Sequence, residues 1–376
     1  MTPEIEAALG AASDRLRELH LGDTFEPRAA AAIVEAGLDR LCVSVADGGL
    51  GASMLEAAEV LMALGAIDGS TALGFAMQVH VTGAMREATS FPAAIRDRCY
   101  RAIIDDGALL NNAATEDGGG SPARGAIPGT RAEPGPDDTW RLTGEKTWTT
   151  WLPNLAYAFV SARIGTEQPA EVGIFLVDLA SEGVERLEGF AALGMRGSAS
   201  GHLVLAEAAA ELVQRRLVSE PDPRGPAPQA WFGLAIAAVY LGVGEGARAD
   251  VARWALDRRP GDGSTAVADI PSVQLRLGRI DAELRAARIV VLDVARHWDE
   301  ARDAHDVGLA KLVATRAAAN ATDEALRIAG GPGFLSGRLE RAFRDARAGL
   351  INPPLEDIAL IGFGNAVVDR ERERER

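Results

Sequence analysis

Two cysteines, Cys42 and Cys99, are all that this chain of 376 residues contains. So low a count excludes a disulfide framework and points to two buried thiols in a reducing compartment. Positive charge is also in deficit, with 39 Lys and Arg against 54 Asp and Glu and a formal net charge of -15. A phosphate backbone or an anionic lipid surface is repelled on average by such a chain, so neither nucleic acid nor a membrane is expected as a partner. No uninterrupted apolar run approaches the roughly 18 residues of a membrane span. Met1 to Arg17 is acidic and amphipathic rather than basic and then apolar, so the expected location is the cytoplasm. The histidines, His20, His80, His202, His297 and His305, are scattered without ligand spacing, which argues against a metal site. His80, at the end of the apolar run Gly74 to Val79, reads as a packed residue of the core or cleft rather than a base. Gly-x-Gly-x-x-Gly after a strand, Gly-x-x-x-x-Gly-Lys-Ser/Thr and Gly-x-Ser-x-Gly are all missing, so Rossmann, P-loop and hydrolase readings have no support.

What the chain does have is enough apolar residue, 47%, to fill a large core of two or three domains. Residues 1–107 are rich in Ala and Leu at helical spacing, broken at Gly22, Gly37, Gly48–Gly51 and Gly69, and predict about five helices. Within them Ala30, Ile33, Val34, Gly37, Leu38 and Leu41 predict one apolar stripe on a single helix. Across 108–218, short runs such as Tyr157–Ala162 and Val172–Val177 between turn residues predict strands, with a polar hairpin tip at 131–138. A connector follows at 219–229. Beyond it Val273, Leu277, Ile280, Leu284, Ala287 and Val291 alternate steps of four and three, a seam for packing helices. The expectation is an α+β protein: an N-terminal helical domain (1–107), a central β-domain (108–218), which the family resemblance described below implies to be β-barrel-like, a C-terminal four-helix bundle (226–369) and a solvated charged tail (370–376).

Three stretches carry chemistry. Thr115-Glu116-Asp117-Gly118-Gly119-Gly120-Ser121 is a glycine-rich turn that lets backbone N–H groups approach a ligand, or simply a flexible connection. Gly144-Glu145-Lys146-Thr147-Trp148-Thr149-Thr150 sets an indole among hydroxyls, which suits a planar ring system, with core packing as the competing account. Leu193-Gly194-Met195-Arg196-Gly197-Ser198-Ala199-Ser200 places an arginine and two small hydroxyl residues on a glycine-rich turn entering a strand, a candidate anion site.

In this order the three resemble the Thr-Glu-Pro-Gly-x-Gly-Ser, Gly-x-Lys-x-Trp-x-Thr and Gly-x-Arg-Gly-Ser elements of the acyl-CoA dehydrogenase superfamily. Gly37-Leu38, Asp47–Gly51, Gly330-Gly331-Pro332-Gly333-Phe334 and Glu340–Asp345 are similar to further elements of that family, so the resemblance spans nearly the whole chain. It implies FAD as cofactor, with Thr115 facing the ring, Trp148 and Thr150 walling it, and Ser121 on the phosphate or substrate side. Arg196 is implied at the substrate. The family's partner subunit helps to hold the dinucleotide, which makes Gly330 and Gly331 candidates and implies a homodimer or homotetramer, or a hetero-oligomer with a homologue.

The sequence also departs from that family. Its catalytic glutamate removes the proton beside a thioester, yet Pro353 stands at that place in Ile351-Asn352-Pro353-Pro354, and the alternative place on the first bundle helix falls at Leu234. A proline takes no proton. Glu356 is the nearest candidate base, although a helix-capping or solvated role suits it better; Asp357 and Glu245 are further substitutes. Arg258-Arg259-Pro260-Gly261 replaces an Arg-x-x-Phe-Gly element and Arg327 a glutamine, and Arg258, Arg259 and Arg327 are candidates for pyrophosphate contacts. No arginine stands near Ala235 to meet a substrate nucleotide. The resemblance therefore implies three readings. In the first, an FAD-dependent enzyme desaturates an acyl thioester and passes electrons to an acceptor protein. In the second, reduced flavin from a reductase and oxygen hydroxylate a small molecule. The third is a non-catalytic subunit that keeps the fold.

Overall fold

The computed structural model describes residues 1–118, 126–136, 139–261 and 263–375. Five α-helices open the chain: α1 (Pro3–Glu18), α2 (Pro27–Glu35), α3 (Met54–Ile67), α4 (Gly69–Glu87) and α5 (Ala93–Asp106). Each start is readable in the residues. Thr2 and Asp68 cap α1 and α4 through their side chains, and Ser53 with Glu56 forms a capping box on α3. The single stripe expected from Ala30 to Leu41 is broken, because α2 ends at Glu35 and Gly37 adopts φ 75°. Ala30 and Ile33 are buried from the helix, while Leu38 and Leu41 are buried from a separate short 3-10 turn and its cap. Apolar spacing predicted the burial but not the left-handed residue that redirects the chain.

Strands β1 (Leu109–Ala113), β2 (Arg131–Pro134), β3 (Trp140–Thr149), β4 (Leu155–Ile164), β5 (Glu171–Asp178), β6 (Val184–Leu187) and β7 (Gly201–Leu217) form one mixed sheet. Its order is β1-β4-β2-β3-β7-β5, and β4 also pairs with β5, so five strands close into a ring. The short, turn-bounded runs predicted these strands and the family resemblance implied the barrel-like form, with β1 and β6 attached outside the ring.

The bundle consists of α6 (Ala227–Asp257), α7 (Pro271–Ala301), α8 (Val307–Ala329) and α9 (Arg338–Ile351), followed by α10 (Glu356–Arg374). Val273, Ile280, Leu284, Ala287 and Val291 of the predicted seam are buried. Helix α6 is long and apolar enough to cross a bilayer by length and composition, but 83% of its apolar window is buried inside the fold. Gly233 backs onto Val307 and Gly244 onto Ala318, so α6 and α8 run parallel in register. The charged tail is not a separate extension. Helix α10 continues into it as far as Arg374, with Arg372–Asp369 and Arg374–Glu371 ion pairs at i,i+3 on its exposed surface.

Helix α4 lies between the two other domains, all but its last residues buried. The absence of a Cβ at Gly74 admits the Trp151 indole from the β-domain, and at Gly83 the Trp231 indole from α6. At its C-terminal end the Glu87 Oε2 accepts from Trp231 Nε1 (2.7 Å) and Trp298 Nε1 (2.8 Å), which ties α4 to α6 and α7.

Candidate functional site

The site is built outward from the end of β3. Pairing with β7 shifts between Lys146, opposite Leu203, and Thr149, opposite Gly201, so Thr147 and Trp148 together face the single residue His202. This is a β-bulge, and Trp148 takes φ 58° within it. The bulge turns the indole out: Trp148 is 49% exposed between the buried Thr147 and Thr149. One face of the indole stacks on Phe190 (4.1 Å between centroids, 24° between planes), and Phe190 leans on His202, whose Nδ1 lies 2.6 Å from Glu145 Oε1.

The first and second motifs are fastened to each other. The Thr147 N–H donates to the Thr115 carbonyl (2.9 Å). Glu116 Oε1 accepts from Lys146 Nζ (2.5 Å), from the Thr130 N–H (3.0 Å) and from Thr130 Oγ1 (2.6 Å), while its Oε2 accepts from the Gly129 N–H (2.5 Å). Lys146 is fully buried, with Ser161 Oγ as a second partner at 3.3 Å. Burial pushes the Lys146 ammonium below its ordinary range. Burial also pushes Glu116 upward, but its hydrogen bonds from Lys146 and Thr130 outweigh that and hold it below the usual carboxylate range. The third motif joins through hydroxyls: Thr150 Oγ1 lies 3.0 Å from Ser200 Oγ, which lies 2.9 Å from Ser198 Oγ, and Asn111 Nδ2 donates to the Thr150 carbonyl (3.0 Å).

Thr115, Trp148 and Thr150 are therefore brought to one place, as their motifs implied. Thr147 Oγ1 and Thr149 Oγ1 are buried and lack a hydrogen-bond partner among the described residues. Unpaired hydroxyls flanking an outward indole fit a flat heteroaromatic group with a polar edge. Ser121 lies outside the described residues.

Other predicted residues lie elsewhere. Arg196 is exposed and committed to the Ala192 carbonyl (2.7 Å) and Asp23 (3.3 Å). Arg258, Arg327, Gly330 and Gly331 are exposed at the C-terminal ends of the parallel pair α6 and α8. From Leu234 to Arg258 along α6 is about 36 Å at 1.5 Å per residue. These four therefore lie at the far end of the bundle from Leu234 and from Pro354, which faces Gly233. Arg327 also pairs with Asp323 (2.7 Å). Glu356 accepts from Arg316 Nη2 (2.5 Å), which holds it below the usual carboxylate range and ill suited to take a proton. Pro353 and Pro354 fill the turn between α9 and α10, and Pro354 faces Gly233 on α6.

Sequence reasoning missed Phe190, His202 and Lys311. Phe190 and His202 carry no motif and meet Trp148 only through β7. Lys311 reads as one more polar residue of α8, yet it is 2% exposed and burial pushes its ammonium down to about 8 against the field of Glu356. His80 is buried as expected, 2.8 Å from Asn112 Nδ2 and edge-on to Phe232, and burial holds it neutral with its pKa down to about 3.

Two family models match the chain: the acyl-CoA dehydrogenase middle domain over residues 111–208 and the acyl-CoA dehydrogenase C-terminal domain over 231–352. The putative acyl-CoA dehydrogenase YdbM of Bacillus subtilis is 34% identical over 332 residues, 87% of this chain and 85% of that protein. The 3-(aryl)acrylate reductase of Clostridium sporogenes is 26% identical over 67% of each chain. Among solved structures, butyryl-CoA dehydrogenase from Megasphaera elsdenii superposes with a TM-score of 0.85 at 19% identity, covering 98% of this chain and 99% of that one. FMN-bound TdsC from Paenibacillus sp. A11-2 does so with a TM-score of 0.84 at 21% identity over 98% of both. With its barrel between helical domains, its three interlocked motifs and a relative this similar over most of its length, the chain belongs to the acyl-CoA dehydrogenase family.

Proposed function

We propose that this protein is a flavin-dependent oxidoreductase whose reaction draws on no carboxylate base, and that it hydroxylates a small molecule with reduced flavin and oxygen. The observation that carries this reading is the pair of apolar residues, Pro353 and Leu234, at both places where the family keeps its glutamate, with Glu356 already held by Arg316. Desaturation of an acyl thioester needs a group that removes the proton beside the carbonyl. Hydroxylation does not. A bound reduced flavin supplies the electrons and the oxygen chemistry. The chain's own part is to offer the Trp148 face and to hold the Thr115 loop through Glu116 and Lys146.

A second reading, desaturation of an acyl thioester with transfer of electrons to an acceptor protein, has the support of the YdbM relative, itself a putative acyl-CoA dehydrogenase. Incorporation of an oxygen atom from O2 into a small-molecule substrate, with reduced flavin and a reductase, supports hydroxylation, and bleaching of bound flavin by an acyl thioester without oxygen supports desaturation. If the purified protein takes up no flavin, both readings fail and a non-catalytic role stands.

FAD is the flavin we favour, because Arg258, Arg327, Gly330 and Gly331 face solvent, open to the dinucleotide of a second copy of the chain. Phe334, Leu335 and Leu256, 80%, 69% and 59% exposed, surround the same end of the bundle and support self-association. Trp148→Ala removes the stacking wall, and such a contact is worth roughly 1–3 kcal/mol. The expected result is a dissociation constant for flavin about 5- to 100-fold higher, read by quenching of flavin fluorescence. Trp148→Phe should keep most of the affinity.

A further inference from the structure

Positions 307, 311 and 315 follow one stripe of α8 at steps of four, and their neighbours are known on both sides. Val307 faces Gly233 of α6 and, beyond it, Pro354; the Thr315 methyl meets Gly349 of α9 beside the Tyr240 ring. Asn352 Nδ2 donates to Tyr240 Oη (2.8 Å), which closes the far side. Lys311 lies on the stripe between these two contacts, which involve α6, α9 and Pro354 of the α9–α10 connection. Those are the elements that carry Leu234 and Pro353, the two places where the family's carboxylate is expected.

A buried ammonium is strongly disfavoured unless it is paired. The Nζ of Lys311 is inaccessible and has no hydrogen-bond partner among the described residues. Its nearest acid, Glu356, spends its carboxylate on Arg316. Both family positions are apolar, and the cation is left for something that enters.

We propose that Lys311 is a substrate-binding residue whose ammonium receives an oxyanion, a carboxylate or a phenolate, carried on an otherwise apolar molecule. The inference rests on the substrate lying at this corner, as the proposed function requires, and it names the substrate's class. The same charge that binds the ligand is a cost to the empty protein, so truncating it should not weaken the fold.

The test is calorimetric titration of the flavin-loaded protein with phenylacetate, with 4-nitrophenolate and with neutral phenylacetamide. Either anion is expected to bind at least 10-fold more tightly than the amide, and the ratio between the two anions tells carboxylate from phenolate. Lys311→Met should remove that preference while flavin affinity stays as in the wild type and the melting temperature is equal or higher. Lys311→Gln serves if the methionine variant does not fold. Equal binding of anions and amide, no binding of either anion, or an anion preference that survives both substitutions overturns the proposal. So does a lower melting temperature in both variants, which would mark Lys311 as a structural residue. Flavin uptake is measured on the same samples: its loss in the wild type would sink the proposed function, whereas retained flavin without anion binding sinks only this inference.

Discussion

Glu116→Ala is expected to lower stability by about 3–5 kcal/mol, because it strips a fully buried ammonium of its counter-charge. What remains for Lys146 is a single hydroxyl, Ser161 Oγ, at 3.3 Å. The converse change should cost less. In Lys146→Met the carboxylate keeps three donors, the Gly129 N–H, the Thr130 N–H and the Thr130 hydroxyl, so roughly half the loss is expected. Denaturant titration of the two single variants and the double variant separates these terms, and equal losses in the two singles would contradict the account. Glu116→Ala should also lower flavin affinity, since the segment behind Thr115 is held down by this carboxylate. Because Glu116 is held below the usual carboxylate range, its contribution is present at neutral pH and is lost as pH falls through that lowered range; Glu116→Ala should accordingly lack this part of the acid sensitivity.

Glu87→Ala is the second change with a large expected effect, again about 3–5 kcal/mol. It leaves two indole N–H groups, Trp231 Nε1 and Trp298 Nε1, buried without an acceptor, at about 1–3 kcal/mol each. Arg86 and Arg302 lose the partner they reach at 2.9 and 3.3 Å, although both still lie over the Trp231 and Trp298 rings. Glu87→Gln keeps an acceptor oxygen and should lose less than half as much. Tryptophan fluorescence reads the event directly, since Trp231 and Trp298 are both almost fully buried and a red shift before global unfolding would mark water reaching them. A Glu87→Ala protein as stable as the wild type would show that the three helices do not depend on this junction.

Much of this architecture is legible in the residues. The change from helical spacing to short turn-bounded runs and back locates the β-domain, and the seam from Val273 to Val291 faces the core as its periodicity requires. The site is legible only where its parts are close in sequence. Trp148 and Thr150 sit in one motif, and the motif implies their role. Lys146 and Glu116 are 30 residues apart, and nothing in the spacing says that they pair. Phe190 reaches the indole because of a bulge that no residue type announces. Lys311 is hidden for a different reason: lysine on a helix is ordinarily solvated, and only depth within the bundle makes this one unusual. The continuation of α10 into the charged tail was likewise obscured, because alternating Arg and Glu resemble a solvated run until their i,i+3 pairing is seen.

The parallel run of α6 and α8 has a consequence for how the protein would be handled. Under the proposed self-association, Arg258, Arg327, Gly330 and Gly331 at the C-terminal ends of α6 and α8 serve the flavin held by the partner copy's Trp148 loop. Cofactor retention then depends on encounter between molecules, so dilution should bleach the protein even when every chain stays folded, and mixing two singly defective variants, one altered at Trp148 and one at Gly330, should restore colour to a fraction of the sites.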